Sequence, residues 1–298
     1  MNVLMTGGTG LIGTAFIKQF NNLHFTVLVR SIAKAKTILP AQVVLISSLD
    51  ELTNLDDFDA VINLAGEPII DKRWRDKQKD IICQSRWGTT EQLVALFARS
   101  NNPPKVFISG SAIGIYSDRG DDELPETAAV SASDFPSTLC STWEQIAAKA
   151  SPYTRVVTLR TGIVLSTQGG ALKKLLLPFK CFVGGPISHG QQYMSWIHYQ
   201  DMIHGIYFLL TADEVSGPVN MVAPEPLPNR VFTQTLAGVL NRFAIIPAPK
   251  LMLWLGLGES SCLLVDSQRV VPEMLIKHGY DFKFSNLKAA LNNLLIKQ

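Results

Sequence analysis

The sequence predicts an α/β fold: a Rossmann-type, doubly wound parallel sheet with a smaller C-terminal α/β lobe. Three observations lead there. An apolar strand at the start runs into Gly-x-x-Gly-x-x-Gly and then into a helical pattern. Short runs of Val, Ile and Leu alternate with helical stretches through the first half, as in a parallel sheet covered on both faces. After Arg160, glycine and proline breaks divide the chain into shorter pieces, as expected of a lobe laid over the carboxyl edge of the sheet.

The first strand is expected at residues 3–6. In the loop that follows, Gly7 permits a tight turn, Gly10 lets backbone N–H groups approach a pyrophosphate, and Gly13 lets helix and strand pack closely. Leu11 and Ile12 lie between the last two glycines, at a helix N-terminus whose free N–H groups and dipole favour phosphate. Further strands are expected at 25–29, 43–46, 60–64, 106–109 and 155–159, with helices at about 11–22, 73–100 and 137–150 and right-handed crossovers. The second strand ends Val29-Arg30-Ser31. An acidic residue there would accept the ribose 2′-OH of NAD, whereas a guanidinium suits a 2′-phosphate, so NADP(H) is the expected cofactor, with Lys34 adding charge. The bland alternative leaves Arg30 and Lys34 as solvated surface charges.

The 298 residues are 47% hydrophobic, enough for a large core, while 17% charged residues and a net charge of +2 create no field that would attract nucleic acid. The N-terminal apolar run is too short for a signal peptide, and no segment approaches the ~18 apolar residues of a membrane span, so no membrane partner is expected. Cys83, Cys140, Cys181 and Cys262 are scattered, without Cys-x-x-Cys or His-Glu-x-x-His, which argues against a metal site and a disulfide framework. The expectation is a cytoplasmic protein with free thiols. Residues 1–165 would form the dinucleotide-binding domain, with 196–222 returning to it, and 166–195 with 223–298 would form the substrate lobe.

Four blocks share an order and spacing: Thr6-Gly7-Gly8-Thr9-Gly10-Leu11-Ile12-Gly13, Asn63-Leu64-Ala65-Gly66, Ser109-Gly110-Ser111-Ala112 and Trp196-Ile197-His198-Tyr199-Gln200-Asp201. They resemble the extended short-chain dehydrogenase/reductases. Glu67-Pro68-Ile69, Ser85-Arg86, Cys140-x-x-Trp143-Glu144, Gly184-Gly185-Pro186-Ile187 and Gln268-Arg269-Val270-Val271-Pro272 resemble one atypical branch, the "epimerase family proteins" with a C-terminal domain of unknown function. The resemblance covers nearly the whole chain and implies NADP(H) held above a cleft under the C-terminal lobe. By that likeness Gly7, Gly10 and Gly13 take the phosphate-loop places, and Val29 and Arg30 the adenosine-ribose place. Leu64, Ala65 and Gly66 line the cofactor, Arg86 with Ser85 faces it from the next helix, and Val164 lies near the nicotinamide.

The chain departs from the superfamily where chemistry is concerned. No tyrosine is followed by lysine four residues on, so the Tyr-x-x-x-Lys pair is absent. Cys140 stands in the tyrosine place and Glu144 in the lysine place. A carboxylate beside a thiol raises the thiol pKa, so Cys140 is expected to stay protonated and to pack as a small apolar residue. Glu144 is a candidate ribose-binding group or general base, or else a surface carboxylate paired with a lysine. Ser111, after the fifth strand, is a candidate for contacting a substrate hydroxyl or carbonyl, or a strand-end hydroxyl. His198 is expected to satisfy backbone groups between lobes rather than to carry protons, and Asp201 to cap the helix after it. Arg73-Trp74 and Gln191-Gln192-Tyr193 would line a pocket or form a packed lid, and Trp254 and Leu257 would join the core of the tail. Two readings follow: an NADP(H)-dependent oxidoreductase or epimerase acting on a small polar carbonyl or alcohol, or an NADP(H)-binding sensor that has lost the chemistry. A homodimer, if one forms, would use the helices near 76–100 and 138–150.

Overall fold

The computed structural model describes residues 1–296. Seven strands form one all-parallel sheet: β1 (Asn2–Thr6), β2 (His24–Leu28), β3 (Val44–Ile46), β4 (Ala60–Asn63), β5 (Val106–Ala112), β6 (Arg155–Thr161) and β7 (Gly217–Met221). Their order is β3-β2-β1-β4-β5-β6-β7. The helices that matter below are α1 (Leu11–Gln19), α2 (Ile32–Lys36), α3 (Asp76–Arg99), α4 (Phe135–Ala148), α5 (Gly170–Lys180), α6 (Tyr199–Thr211), α7 (Asn229–Leu240) and α8 (Lys250–Leu257).

Strand residues alternate between the two faces of the sheet, and each face buries its own set. Val3, Met5, Ile62 and Ile108 pack under Phe16 and Ile17 of α1 and Ile203 and Ile206 of α6. Leu4, Val61 and Phe107 pack under Leu93, Leu96 and Phe97 of α3 and Ala147 of α4. Two covered faces explain why these strands read as continuous apolar runs. A second core joins Leu172, Leu176 and Phe179 of α5, Trp196, Phe232 and Leu236 of α7, and Leu287 and Leu291 of the closing helix Leu287–Leu295.

The structure departs from the sequence reading in identifiable places. β7 lies beyond the strands expected from the sequence; its Pro218 is tolerated because β7 is the edge of the sheet. β5 and β6 continue past residues 109 and 159, pairing as far as Ala112 with Thr161. Trp254 does not join a core: it is 56% exposed, and α8 has no buried residue. Arg73 holds the carboxyl end of α8 instead, donating to the carbonyls of Trp254, Leu255 and Gly256. Its neighbour Trp74 is buried and donates to the carbonyl of Ile69, so this pair forms a packed strap rather than pocket lining.

The joint at Trp196–His198 pairs in parallel with Ile163–Leu165. His198 is the N-cap of α6, its Nδ1 accepting from the Gln200 N–H at 3.1 Å, and its ring lies 3.9 Å from that of Phe284. Asp201 does not cap that helix. Its carboxylate accepts the N–H groups of Lys283 and Phe284 at 2.8 and 2.9 Å, fastening the C-terminal segment to α6.

Burial, with the Lys283 ammonium nearby, pushes His198 down to about 4 from its usual 6.5. The unfolded chain therefore binds the extra proton between those values. The stabilisation is complete above pH 6.5 and is lost as pH falls toward 4, roughly 3 kcal/mol in all. Urea unfolding midpoints measured across this window should fall for the natural chain. They should fall less for His198→Asn, which keeps a capping acceptor without the titration.

Candidate active site

The phosphate-type loop is built by close backbone approach. Gly7 has φ of +71°, and a Cβ there would lie 2.5 Å from the carbonyl carbon and oxygen of Leu64. A Cβ on Gly13 would lie 2.5 Å from the Gly7 carbonyl oxygen. The loop thus sits on the carboxyl end of β4 and α1 sits on the loop, as only glycine permits. Gly10 is the N-cap of α1, with no side-chain cap and no acidic residue in the first turn. The first helical bond runs from Thr14 N–H to the Gly10 carbonyl, which leaves the N–H groups of Leu11, Ile12 and Gly13 as the bare positive end of the helix. Leu11 and Val164 come together across Gly170, whose Cβ would meet the Leu11 side chain at 3.4 Å and the Val164 carbonyl at 3.5 Å.

A buried hydrogen-bond chain holds these strand ends in place. Thr6 Oγ1 donates to Asn63 Oδ1 (2.6 Å) and accepts from the N–H of Ala65 (3.1 Å). Asn63 Nδ2 donates to Thr90 Oγ1 (2.8 Å), which also accepts from Trp143 Nε1 (2.8 Å). The 64–67 turn is braced from α3. Ser85 Oγ accepts the Glu67 N–H, while Arg86 donates to the carbonyls of Ile82 and Glu67 with its guanidinium against Gly66 and over the Trp143 ring. Arg86 is therefore committed beneath the turn. Val29 is buried, and Arg30 after it is almost fully exposed, 3.7 Å from the Glu67 carboxylate. Ser31 caps α2.

The second half of the site follows from strand register. Ser111 on β5 is the direct neighbour of Arg160 on β6. α4 lays Glu144 over both. Ser111 Oγ donates to Glu144 Oε1 at 2.7 Å, and Arg160 binds the same carboxylate through two nitrogens, each at 2.9 Å. The remaining Arg160 nitrogen donates to the Tyr116 hydroxyl (2.8 Å), which in turn donates to Asn220 Oδ1 (2.9 Å) on β7. Burial alone would lower the pKa of Arg160, but the hydrogen bonds and charge of Glu144 outweigh it and raise it. Glu144 is thus partnered by an arginine, not a lysine, and is largely buried.

Cys140 is buried beside Tyr116, and its thiol is pushed up to about 12, first by burial and in part by Glu144, while Arg86 opposes the shift. The expected protonated thiol follows, with desolvation the larger cause. Gln192 is buried and donates to the carbonyls of Ile187 and Leu264, a structural brace. Arg160 escaped the sequence reading because the sixth strand was ended at residue 159. The available signal was a guanidinium continuing a strand buried on both faces, which requires an anionic partner.

A family model described as "NAD dependent epimerase/dehydratase family" matches residues 3–222, and one described as "Domain of unknown function (DUF1731)" matches 248–294. An epimerase family protein of Staphylococcus epidermidis is 36% identical over 297 residues, covering 98% of each chain. The crystal structure of the human epimerase family protein SDR39U1 (isoform 2) with NADPH superposes with a TM-score of 0.91 at 33% identity, covering 100% of both chains. UDP-glucuronic acid 4-epimerase from Bacillus cereus, solved with UDP-glucuronic acid and NAD, shares the fold at a TM-score of 0.78 and 15% identity, covering 99% of this chain and 98% of its own.

Removing one member of a buried ion pair strands the other charge. Arg160→Met should destabilise the chain by about 3–5 kcal/mol, and Glu144→Met/Arg160→Met should recover most of the loss in denaturant unfolding. Thiol titration at neutral pH should label the exposed Cys181 rapidly and leave Cys140 unmodified until the chain unfolds.

Proposed function

The chain belongs to the NAD dependent epimerase/dehydratase family, and from that premise we propose that it binds NADP(H) and acts as an oxidoreductase or epimerase-like enzyme on a small polar carbonyl or alcohol. The observation that carries this is the bare N-terminus of α1 on a glycine loop that any Cβ at Gly7 or Gly13 would fill, with the exposed Arg30 at the end of the adjacent strand. That cradle fits a pyrophosphate and its arginine fits a 2′-phosphate. The NADPH in the human relative supports the same choice.

In this reading Gly7, Gly10, Leu11, Ile12 and Gly13 present backbone N–H groups to the phosphates. Val29 and Arg30 hold the adenosine ribose and its phosphate. Leu64, Ala65, Gly66 and Val164 line the remainder, and Arg86 acts as a positioning residue that fixes the 64–67 turn. The dinucleotide, when bound, supplies or accepts the hydride. Ser111 and Glu144 take the role that the family assigns to tyrosine and lysine. Ser111 Oγ receives a proton from a substrate hydroxyl while passing its own to Glu144 Oε1, and the transfers reverse for a carbonyl. Arg160 orients the carboxylate and keeps one lone-pair direction aimed at Ser111.

A second reading is favoured by the same pair. Both Glu144 oxygens are engaged by Arg160, which commits the carboxylate to a structural ion pair, so the chain would serve as an NADP(H)-binding sensor. It predicts unequal affinity for the two redox forms and a protein partner.

Calorimetric titration should show NADPH binding more tightly than NADH, with Arg30→Ala costing roughly 10- to 100-fold for NADPH alone. Absence of heat with either phosphorylated form would overturn the cofactor assignment. In an NADPH oxidation screen over carbonyl compounds, Ser111→Ala should lower kcat by about 100-fold or more at unchanged NADPH affinity. Binding without turnover across the screen would select the sensor reading.

A further inference from the structure

The C-terminal part of the molecule carries exposed apolar groups that the proposed chemistry does not use. Phe182, Val183, Phe243, Ile245, Trp254 and Leu255 are each more than half exposed. Phe182, Val183, Phe243 and Ile245 are brought together because residues 184–188 run beside 245–248. The N–H groups of Ile245 and Ile246 reach the Gly184 carbonyl, Ala248 N–H reaches Pro186, and Ser188 N–H reaches Ala248. α8 follows directly, and Leu251 and Met252 on it are also exposed. Leu177 on α5 extends the face, with Lys173 and Lys180 one helical turn to either side.

The charge of this face has one sign. Segments 170–190 and 226–258 contain no Asp or Glu. Lys173, Lys180 and Arg242 carry no ion pair among the described residues, and Arg242 lies over the Phe182 ring at 4.4 Å. The acids that reach its margin are Asp71, paired with Lys174; Glu259, paired with Lys79; and Asp266, near Lys250. Large apolar and aromatic groups flanked by Lys173, Lys180 and Arg242 suit the headgroup boundary of a membrane. A second copy fits less well, because an isologous contact would set these cations against themselves.

We propose that this face seats the protein on an anionic lipid bilayer, with α8 lying in the plane of the interface. No helix among the described residues is long and apolar enough to cross a membrane, and surface seating requires none. The expectation of no membrane partner rested on the lack of a spanning segment and did not address a surface contact. Arg73 and the Lys174–Asp71 pair tie this face to the loop that follows the 64–67 turn, so seating would point that loop toward the bilayer.

The test is flotation of the full chain with vesicles of phosphatidylcholine alone or mixed with phosphatidylglycerol. The expected result is recovery with the anionic vesicles only, weakening as salt rises. Lys180→Gln should lower the partition coefficient roughly fivefold and Trp254→Ser roughly tenfold. Both side chains are exposed, so thermal unfolding and NADPH affinity should be unchanged; these measurements also separate this proposal from the cofactor assignment. Failure to float with anionic vesicles at low salt, equal binding by both variants, or a dimer by light scattering that both variants dissociate would each overturn it.

Discussion

The buried Arg160–Glu144 pair is the interaction on which the arrangement of the site depends. A guanidinium on the sixth strand of a sheet covered on both faces must find an anion, and α4 supplies it. The bidentate geometry sets the helix over the strand ends more tightly than apolar packing alone would. From the pair, hydrogen bonds reach Ser111 on β5, Tyr116 in the following turn and Asn220 on the edge strand β7. Glu126 continues the connection, accepting the N–H groups of Asn220 and Met274. One ion pair therefore connects the sheet, a covering helix and the C-terminal segment.

The same pair bears on the missing Tyr-x-x-x-Lys. A lysine beside a tyrosine favours the phenolate and so makes a proton acceptor. A carboxylate beside a thiol does the reverse, and burial strengthens the effect at Cys140. In the proposed reading the place of the missing pair is taken by a hydroxyl from the strand and a carboxylate from the helix, which an arginine in register with the hydroxyl binds through two nitrogens. The two halves of the site are thus built differently. The loop half depends on absent side chains at Gly7 and Gly13, and the other half on a charge network.

The lobe that follows β6 is fastened to the sheet by polar clamps as well as by packing. Asp201 holds the N–H groups of residues 283 and 284, His198 caps α6 against Phe284, and Arg73 caps α8 from across the molecule. α8 is held by its carbonyls, while Leu251, Met252, Trp254 and Leu255 remain exposed.

Much of this was legible in the chain itself. The glycine spacing, the alternation of apolar runs and helices, and the place of the glycine loop and of the strand end at Val29 and Arg30 follow from local rules, because turn geometry and strand period are properties of neighbouring residues. For Cys140 the direction of the shift was legible from the carboxylate on the same helix, but its larger cause, burial of the thiol, was not. Only the tertiary structure decided what Glu144 pairs with, that Ser111 touches it, that Asp201 binds residue 283 rather than its own helix, and that Trp254 faces outward. These depend on register and on contacts between residues far apart in the chain. A one-residue change in pairing would separate Ser111 from Arg160, and nothing in the local sequence states which pairing is formed.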